Sequence, residues 1–447
     1  MRFSQAVNAD GSVVHEILTQ GHVHHNGHLF EIPLFVRACY HTLRWTGDRT
    51  FLQEVYEFCK RGLLEVVLGT HDPLEQLCAT GSGLVDAREL QHGEGMKTLD
   101  IAAYTYEALL CLAELAEEAN DAALAPELRA KAQRLREQVN DNWWIAEEGL
   151  FGDVFLSANA LAASHQTLRA EGPLWTADLA EVEWSEKLLA RFAEQNQANA
   201  AAFEQERPWL LKYMIAATPM ETGLASMEHA ERALTRLESD EFSGPWGIYM
   251  NAETQRATMT LPDALVINAQ ARYLRMDQAL AYCHKIAGTF AQGMPGAVSE
   301  FLPDGGCFIQ AEASYGLIWP VVHSFLGFCP HAARRQVRFV PHLPAAWHTA
   351  ALQDIRVGSA SMNLHVHKTE QGLQMLLETS DPLYEVTLGY QCPVNKVPSR
   401  MELNGVPVSF HLESVAEPSL EQTLPGWRLA RLAPVTGQQR YELFVTW

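Results

Sequence analysis

Positive charge is scarce. The 447 residues hold 33 Lys and Arg against 54 Asp and Glu, a formal net charge of -21, and charged residues of both signs make up only 19%. Such a surface repels phosphates, which excludes nucleic acid and anionic membranes as partners and leaves neutral ligands compatible. Cysteine is sparse too: eight are scattered along the chain, none in a C-x-x-C pair. That excludes a disulfide framework and a zinc site of the usual spacing, and predicts free thiols in a reducing cytoplasm. No apolar run approaches the roughly 20 residues that cross a bilayer. The opening MRFSQAVNADGSVVHEI has no apolar core of a secretory leader. No strict repeat is present, so a tandem solenoid is excluded. Disorder is excluded as well: hydrophobic residues make up 47%, enough for one large domain and a smaller one.

From about residue 29 to about 328 the apolar spacing is helical. LFEIPLFVRACYHTLRW (29–45) and FLQEVYEFCKRGLLEVVL (51–68) flank the turn TGDRT, where Asp48 or Thr50 can cap the second helix. LDIAAYTYEALLCLAELAEEA (99–119) and LRAKAQRLREQVNDNWW (128–144) form the next pair. Further helices are predicted near 185–206, 208–218, 226–238, 262–275, 276–292 and 310–328. Short turns alternate with long Gly-containing loops, which suits a ring of helical hairpins with a site built from loops at one end. After about residue 335 the pattern changes. VRFVPHLPAAW, LQDIRVGSASMNLHVHK, GLQMLLET and RYELFVTW alternate apolar and polar residues, and Asn404-Gly405 marks a hairpin. The reading is a β-sandwich over 336–447.

Two acidic loops each precede a helix. GSGLVDARELQHGEGMKTLD (81–100) carries Asp86, Glu89, Glu94 and Asp100. PGAVSEFLPDGGCFIQAEASYGLIWP (295–320) carries Glu300, Asp304 and Glu312 beside Tyr315 and Trp319. Hydrolysis of a glycosidic bond needs one carboxylic acid to protonate the leaving oxygen and one carboxylate opposite it. Most loop carboxylates only serve turns and caps, so composition alone does not single these out.

Longer motifs do. GSVVHEILTQGHVHHNGHLFEIPLF (11–35), WTGDRTFLQEVY (45–56), GLVD (83–86), LDIAAYTYEAL (99–109), TPMETGLA (218–225), SGPWGIYM (243–250), SEFLPDGGCFIQA (299–311) and VRFVPHLPAAW (337–347) resemble the bacterial amylo-α-1,6-glucosidase, or glycogen-debranching, group. The resemblance implies a mainly α fold, an (α/α)6 toroid over residues 1–335, incomplete at its N-terminus, followed by the β-sandwich. It implies inverting hydrolysis of α-glucosidic bonds in oligo- or polysaccharides without a cofactor. By motif position Asp86 is the general acid, with Glu94 in reserve, and Glu300 is the base that activates water. Glu94 or Asp100 would be the like-charged neighbour that keeps the acid protonated.

The resemblance also implies helices ahead of MRFSQAVNADG, among them a Trp-rich, Gly-Arg-Asp segment lining the sugar subsite. Counted back from the base loop, roughly two and a half helices of the ring are missing, as from a misplaced start codon or a shortened gene. The ring is then expected to be open, with exposed apolar helix faces. The alternative reading is a truncated, catalytically inactive carbohydrate-binding homologue. In the base loop, Gln310-Ala311 is followed by Glu312-Ala313-Ser314 rather than Trp-Ser, which leaves Tyr315 or Trp319 to stack on sugar.

Further substrate-contact candidates are His15, Glu16, Glu31, Glu221 and Trp246. Glu31 also suits the N-terminal end of a helix dipole, and Glu221 suits a cap. His22, His24, His25 and His28 stand close together, but no acidic or cysteine ligand has matching spacing, so no metal is predicted. Trp143-Trp144 reads as a core anchor, and Asp153 as a turn residue.

Overall fold

The computed structural model describes residues 8, 10–18, 20–25, 29–70, 97–171, 176–197, 199–290, 292, 296–303, 310–417 and 422–447. Eleven α-helices lie among them. In chain order they are α1 (Glu31–Thr46), α2 (Arg49–Arg61), α3 (Leu99–Glu118), α4 (Ala125–Asn142), α5 (Ala158–Glu171), α6 (Thr176–Gln195), α7 (Thr218–Glu221), α8 (Met227–Leu237), α9 (Thr260–Arg272), α10 (Met276–Thr289) and α11 (Tyr315–Trp319).

Burial sorts these helices into two rings. α3 and α9 are buried at almost every position, as helices that are apolar all round must be. α2, α4, α8 and α10 each bury one stripe. In α8 it is Ala230, Ala233, Leu234 and Leu237, the i, i+3, i+4, i+7 spacing of a helix with one wet face. α1, α3, α7, α9 and α11 form the inner ring, and each packs on the next. α1 and α11 meet through His41 against Trp319, ring centroids 4.5 Å apart, and Trp45 against His323, 5.7 Å apart. α1 and the α11 segment thus touch through aromatic contacts, although Ile318 on α11 stays largely exposed.

Chain direction makes one end of the ring different from the other. Each hairpin runs inner helix, short turn, outer helix. At the first turn Gly47 adopts φ 66° and Asp48 caps α2, accepting from the amides of Thr50 and Phe51 at 2.9 and 3.1 Å. Such a cap is worth about 1 kcal/mol. The connections into α3, α7, α9 and α11 therefore enter at the N-terminal ends of inner helices. This is the loop end; the other is the closed end. Several predicted elements differ: the helix near 185–206 ends at Gln195, an unpredicted helix spans Ala158–Glu171, and within 208–218 the chain forms the end of the strand Glu206–Trp209 and then a tight turn at Met214–Ala217. Pro208 cannot sit in a helix interior, and Glu206–Trp209 instead pairs with Val154–Ser157.

The C-terminal part is a sandwich of a five-stranded and a six-stranded sheet. The first begins at Phe328–His331, which pairs with Gln336–Phe339. Met362, Leu364 and Val366 alternate inward beside Leu373, Met375 and Leu377, the period-2 burial read from the sequence. Asn404 and Gly405, at φ 51° and 78°, turn the hairpin between Arg400–Leu403 and Val406–Pro407. Among the described residues, no helix is long and apolar enough to cross a membrane.

Gly327 joins the two parts. Its φ is +58°, and an added Cβ would lie 1.8 Å from the Val340 carbonyl oxygen. Gly288, in α10, faces open space. Gly327→Ala is expected to destabilise by about 2 kcal/mol or more. Gly288→Ala is expected to stabilise by about 0.5 kcal/mol. Urea denaturation of both variants checks the contrast.

Candidate active site

Lone charges inside apolar helices converge on the ring axis. Arg37 sits on α1, Glu107 on α3, Glu221 at the end of α7 and Tyr315 at the start of α11. The Arg37 guanidinium lies 2.7 Å from Glu221 Oε1 through Nη2 and 3.3 Å from Glu107 Oε2 through Nη1. Nη2 also donates to the Tyr315 hydroxyl, which donates to Glu221 Oε1 at 2.5 Å. Arg272 of α9 reaches Glu107 at 3.2 Å. Burial works against the charge on Arg37, but Glu107 and Glu221 outweigh it and hold its pKa above the ordinary value. Burial, with Glu221 close by, raises the Tyr315 hydroxyl well above its usual range. Glu221 is thus a buried tie between helices rather than a cap, and its Oε2 has no hydrogen-bond partner among the described residues.

Above this axis, acids near the helix starts hold the entering loops. Glu31, in the first turn of α1, meets His15 Nδ1 at 2.5 Å. Asp263, in the first turn of α9, accepts from the Ile248 amide at 2.6 Å. A Cβ on Gly247 would lie 2.0 Å from its carboxylate, so glycine is required there. The turn fixed in this way carries Trp246, half-buried. Asp153 accepts from the amides of Leu211 and Lys212 at 2.6 and 2.8 Å. Burial raises its pKa to about 7 against the pull of those amides, and the nearby Asp100 adds to the rise. Asp100 is itself fully buried in the first turn of α3.

Glu300 is held differently. Its carbonyl accepts from the Thr260 amide at 3.0 Å, and Thr260 Oγ1 donates to the Ser299 carbonyl at 2.9 Å. The next residues, Phe301–Leu302, pair with Thr258–Met259. The backbone is therefore clamped to the N-terminus of α9. The Glu300 side chain is half-buried and makes no hydrogen bond or ion pair among the described residues.

Other candidates fall in varied places. Gln310 donates its amide to the Val298 carbonyl at 2.8 Å, which returns the base loop to α11. Glu312 is exposed. Glu16 lies in the short strand Glu16–Ile17. Trp319 points to the closed end, against His41 and against His323, 3.9 Å away. Asp86, Glu89, Glu94 and Asp304 lie outside the described residues. Sequence reasoning missed Arg37, Glu107 and Asp263, and took Asp153 for a turn residue. A readable signal was present: FVRAC, TYEALL and LPDALV each set one charge in an apolar helical run, and a buried charge needs a partner. Among the described residues, no cluster of His, Cys, Asp and Glu could hold a metal ion.

Two measurements probe this arrangement. Arg37→Met leaves two buried carboxylates short of their cation, an expected loss of about 3–5 kcal/mol. Adding Glu221→Gln should recover part of it; strictly additive losses in urea denaturation would refute the coupling. For Asp153 the folded pKa lies above the unfolded one, so its neutral form favours folding. The penalty is absent below about pH 4 and complete above about 7. The stability of Asp153→Asn relative to wild type should therefore rise through that window, by up to about 1.4 kcal/mol per pH unit. A pH-independent difference would contradict the burial effect.

Residues 70–209 match the family model of the mannosylglycerate hydrolase MGH1-like glycoside hydrolase domain. No curated protein matches the chain. Among solved structures it is similar to an α-L-rhamnosidase from Dictyoglumus thermophilum, at 11% identity and TM-score 0.54, over 99% of this chain and 42% of that one. It is also similar to a sialidase, at 12% identity and TM-score 0.52, over 78% of this chain and 31% of that one. The chain thus spans less than half the length of these proteins. At such identity the likeness is one of fold: this is an (α/α)6-toroid chain with a β domain, and residues 70–209 match the model of a glycoside hydrolase domain.

Proposed function

We propose that this chain is the catalytic ring of a cytoplasmic inverting glycoside hydrolase. It cleaves α-glucosidic, amylo-1,6-glucosidase-like bonds in oligo- or polysaccharides. The observation that carries the reading is Glu300: a carboxylate with no protein partner among the described residues, on a backbone clamped at the mouth of the ring. A general base must hold a fixed position yet keep its oxygens for water. The loop-end acids Glu31, Asp153 and Asp263 are each bonded to protein groups, which sets Glu300 apart. The domain match extends across Asp86, the proposed acid.

In the reaction Glu300 takes a proton from water as its oxygen attacks the anomeric carbon. Asp86 gives its proton to the departing glycosidic oxygen. Inversion requires the two carboxyl groups about 6.5–9.5 Å apart. His15, Glu16, Glu31, Trp246 and Gln310 form the rim that contacts the sugar. By motif position Glu94 or Asp100 would be the like-charged neighbour of the acid, and Glu221 with Tyr315 closes the floor. A second reading, an inactive carbohydrate-binding homologue, draws support from that floor, because Arg37, Glu221 and Tyr315 bond to one another across the axis.

Glu300→Gln and Asp86→Asn are each expected to lower kcat by about 10²–10⁴-fold with little change in KM. Hydrolysis of isomaltose and of aryl α-glucosides measures this, and proton NMR should show the β-anomer appearing first. Turnover in wild type no greater than in the variants, with isomaltose still bound, would establish the inactive reading instead.

A further inference from the structure

A cavity of about 1040 Å³ lies between the closed end of the ring and the β-sandwich. Glu107, Glu221 and Tyr315 of the axial tie form its wall toward the loop end, and Glu31, Trp246 and Glu300 are not among its lining residues. Its ring wall comes from Tyr40, His41 and Trp45 near the end of α1, and from Trp319 and His323 in and beyond α11. Glu31 at the loop end and Trp45 are fourteen residues apart on one helix, about 21 Å at 1.5 Å per residue. The tie of Arg37, Glu221 and Tyr315 crosses the ring between them.

The aromatic wall is continuous. Tyr40 and His41 lie 4.9 Å apart, His41 and Trp319 4.5 Å, Trp319 and His323 3.9 Å, and His323 and Trp45 5.7 Å. Trp45, Trp319 and His323 are only partly buried, so they present ring area to a ligand. Polar groups stand beside them: Arg44 reaches the Tyr40 hydroxyl at 2.8 Å and Glu114 at 3.5 Å.

Charge decides the ligand class. Six arginines line the cavity, which alone would suggest an anion. Each already has an acidic or thiol partner. Arg44 pairs with Glu114, Arg272 with Glu107, and Arg334 with Glu117 and Glu118. Arg129 pairs with Glu117, Arg431 with Glu413, and Arg338 donates to Cys329 Sγ at 3.4 Å. Burial, and then Arg37 and His323, keep His41 neutral. None of these guanidinium groups stands free for a phosphate or carboxylate. Aromatic faces beside internally paired acids and guanidinium groups suit an uncharged ligand with an apolar face and hydroxyl edges.

We propose that this closed-end cavity is a second carbohydrate site, binding a neutral oligosaccharide of a few units against Trp319 and His323, apart from the loop-end chemistry. The volume matches the upper part of the range for ligand pockets, about 300–1,000 Å³. The site does not depend on Glu300 being catalytic.

Isothermal titration calorimetry with maltotriose, isomaltotriose and cellotriose tests it on the full chain. At least one is expected to bind saturably. Trp319→Ala should weaken that binding by about tenfold or more, and Trp319→Phe should keep it within about threefold, because the aromatic face carries the contact. His323→Ala is a second lesion in the same wall, and circular dichroism checks that each variant folds. In the Glu300→Gln background, where turnover is removed, the Trp319-dependent isotherm should persist when Trp246 is changed to Ala, while any loop-end component is lost. The proposal is overturned if none of the three sugars binds saturably, if folded Trp319→Ala and His323→Ala bind like wild type, or if inorganic phosphate displaces the sugar. Binding lost in Trp246→Ala but kept in Trp319→Ala would place the sugar at the loop end, ending this proposal while sparing the catalytic one.

Discussion

The guanidinium of Arg37 is the tie on which the ring depends. It carries a charge where water is scarce, and that cost is offset only if acceptors meet it from several sides at once. Glu107 and Glu221 do so, and Tyr315 completes the shell. These groups come from four different inner helices, so the network is satisfied only when the helices stand in one arrangement. Arginine suits this place because its planar fork addresses partners in two directions, which a lysine ammonium does less well. The tie also has a consequence for space: it crosses the ring axis and stands between the loop end and the closed-end cavity.

The loop end repeats one device. A carboxylate near the start of an inner helix, or on the strand beside it, reaches back to groups of an entering loop. Asp263 holds Ile248, Asp153 holds Leu211 and Lys212, and Glu31 meets His15. Amides accepted by a buried carboxylate stop a long connection from wandering, and the helix dipole favours negative charge at that end. Glu300 stands outside this scheme. Its position is fixed by backbone pairing instead, so its side chain is not consumed in holding the loop. Division of labour among chemically identical groups is thus set by what each one touches.

The ring and the sandwich were legible because each has its own period. Helical spacing marked 99–119, 226–238 and 262–275, and alternation marked the strand with Met362, Leu364 and Val366. Asn404-Gly405 marked its hairpin outright. What could not be read locally was pairing across long separations. Arg37 and Glu221 are 184 positions apart, and Arg37 and Tyr315 278; nothing in either neighbourhood names the partner. Glu221 was singled out as a pocket residue or cap, yet its partners make it part of the axial tie. Trp319 was read with the base loop because it follows it in sequence. One and a bit helical turns beyond Tyr315, it has already left the loop end and faces His41 and His323. The segment 208–218 failed for a related reason: its composition fits a helix, but Pro208 and pairing with Val154–Ser157 make its first part a strand.

A fold shared at 11% identity is a fold set by burial pattern rather than by particular side chains. Inner helices need only be apolar all round, and outer helices need only one apolar stripe. That tolerance lets one ring host unrelated chemistries, so activity has to be argued from groups the packing does not need. By that criterion most of the acids described here are excluded, since removing them would loosen a loop or unbalance the axis. Glu300 remains, because nothing described in the ring uses its carboxylate. At the closed end the same criterion selects Trp319 and His323. They join α1 to α11 with one part of their surface and leave the rest to the cavity, so their exposed faces are not spent on the fold.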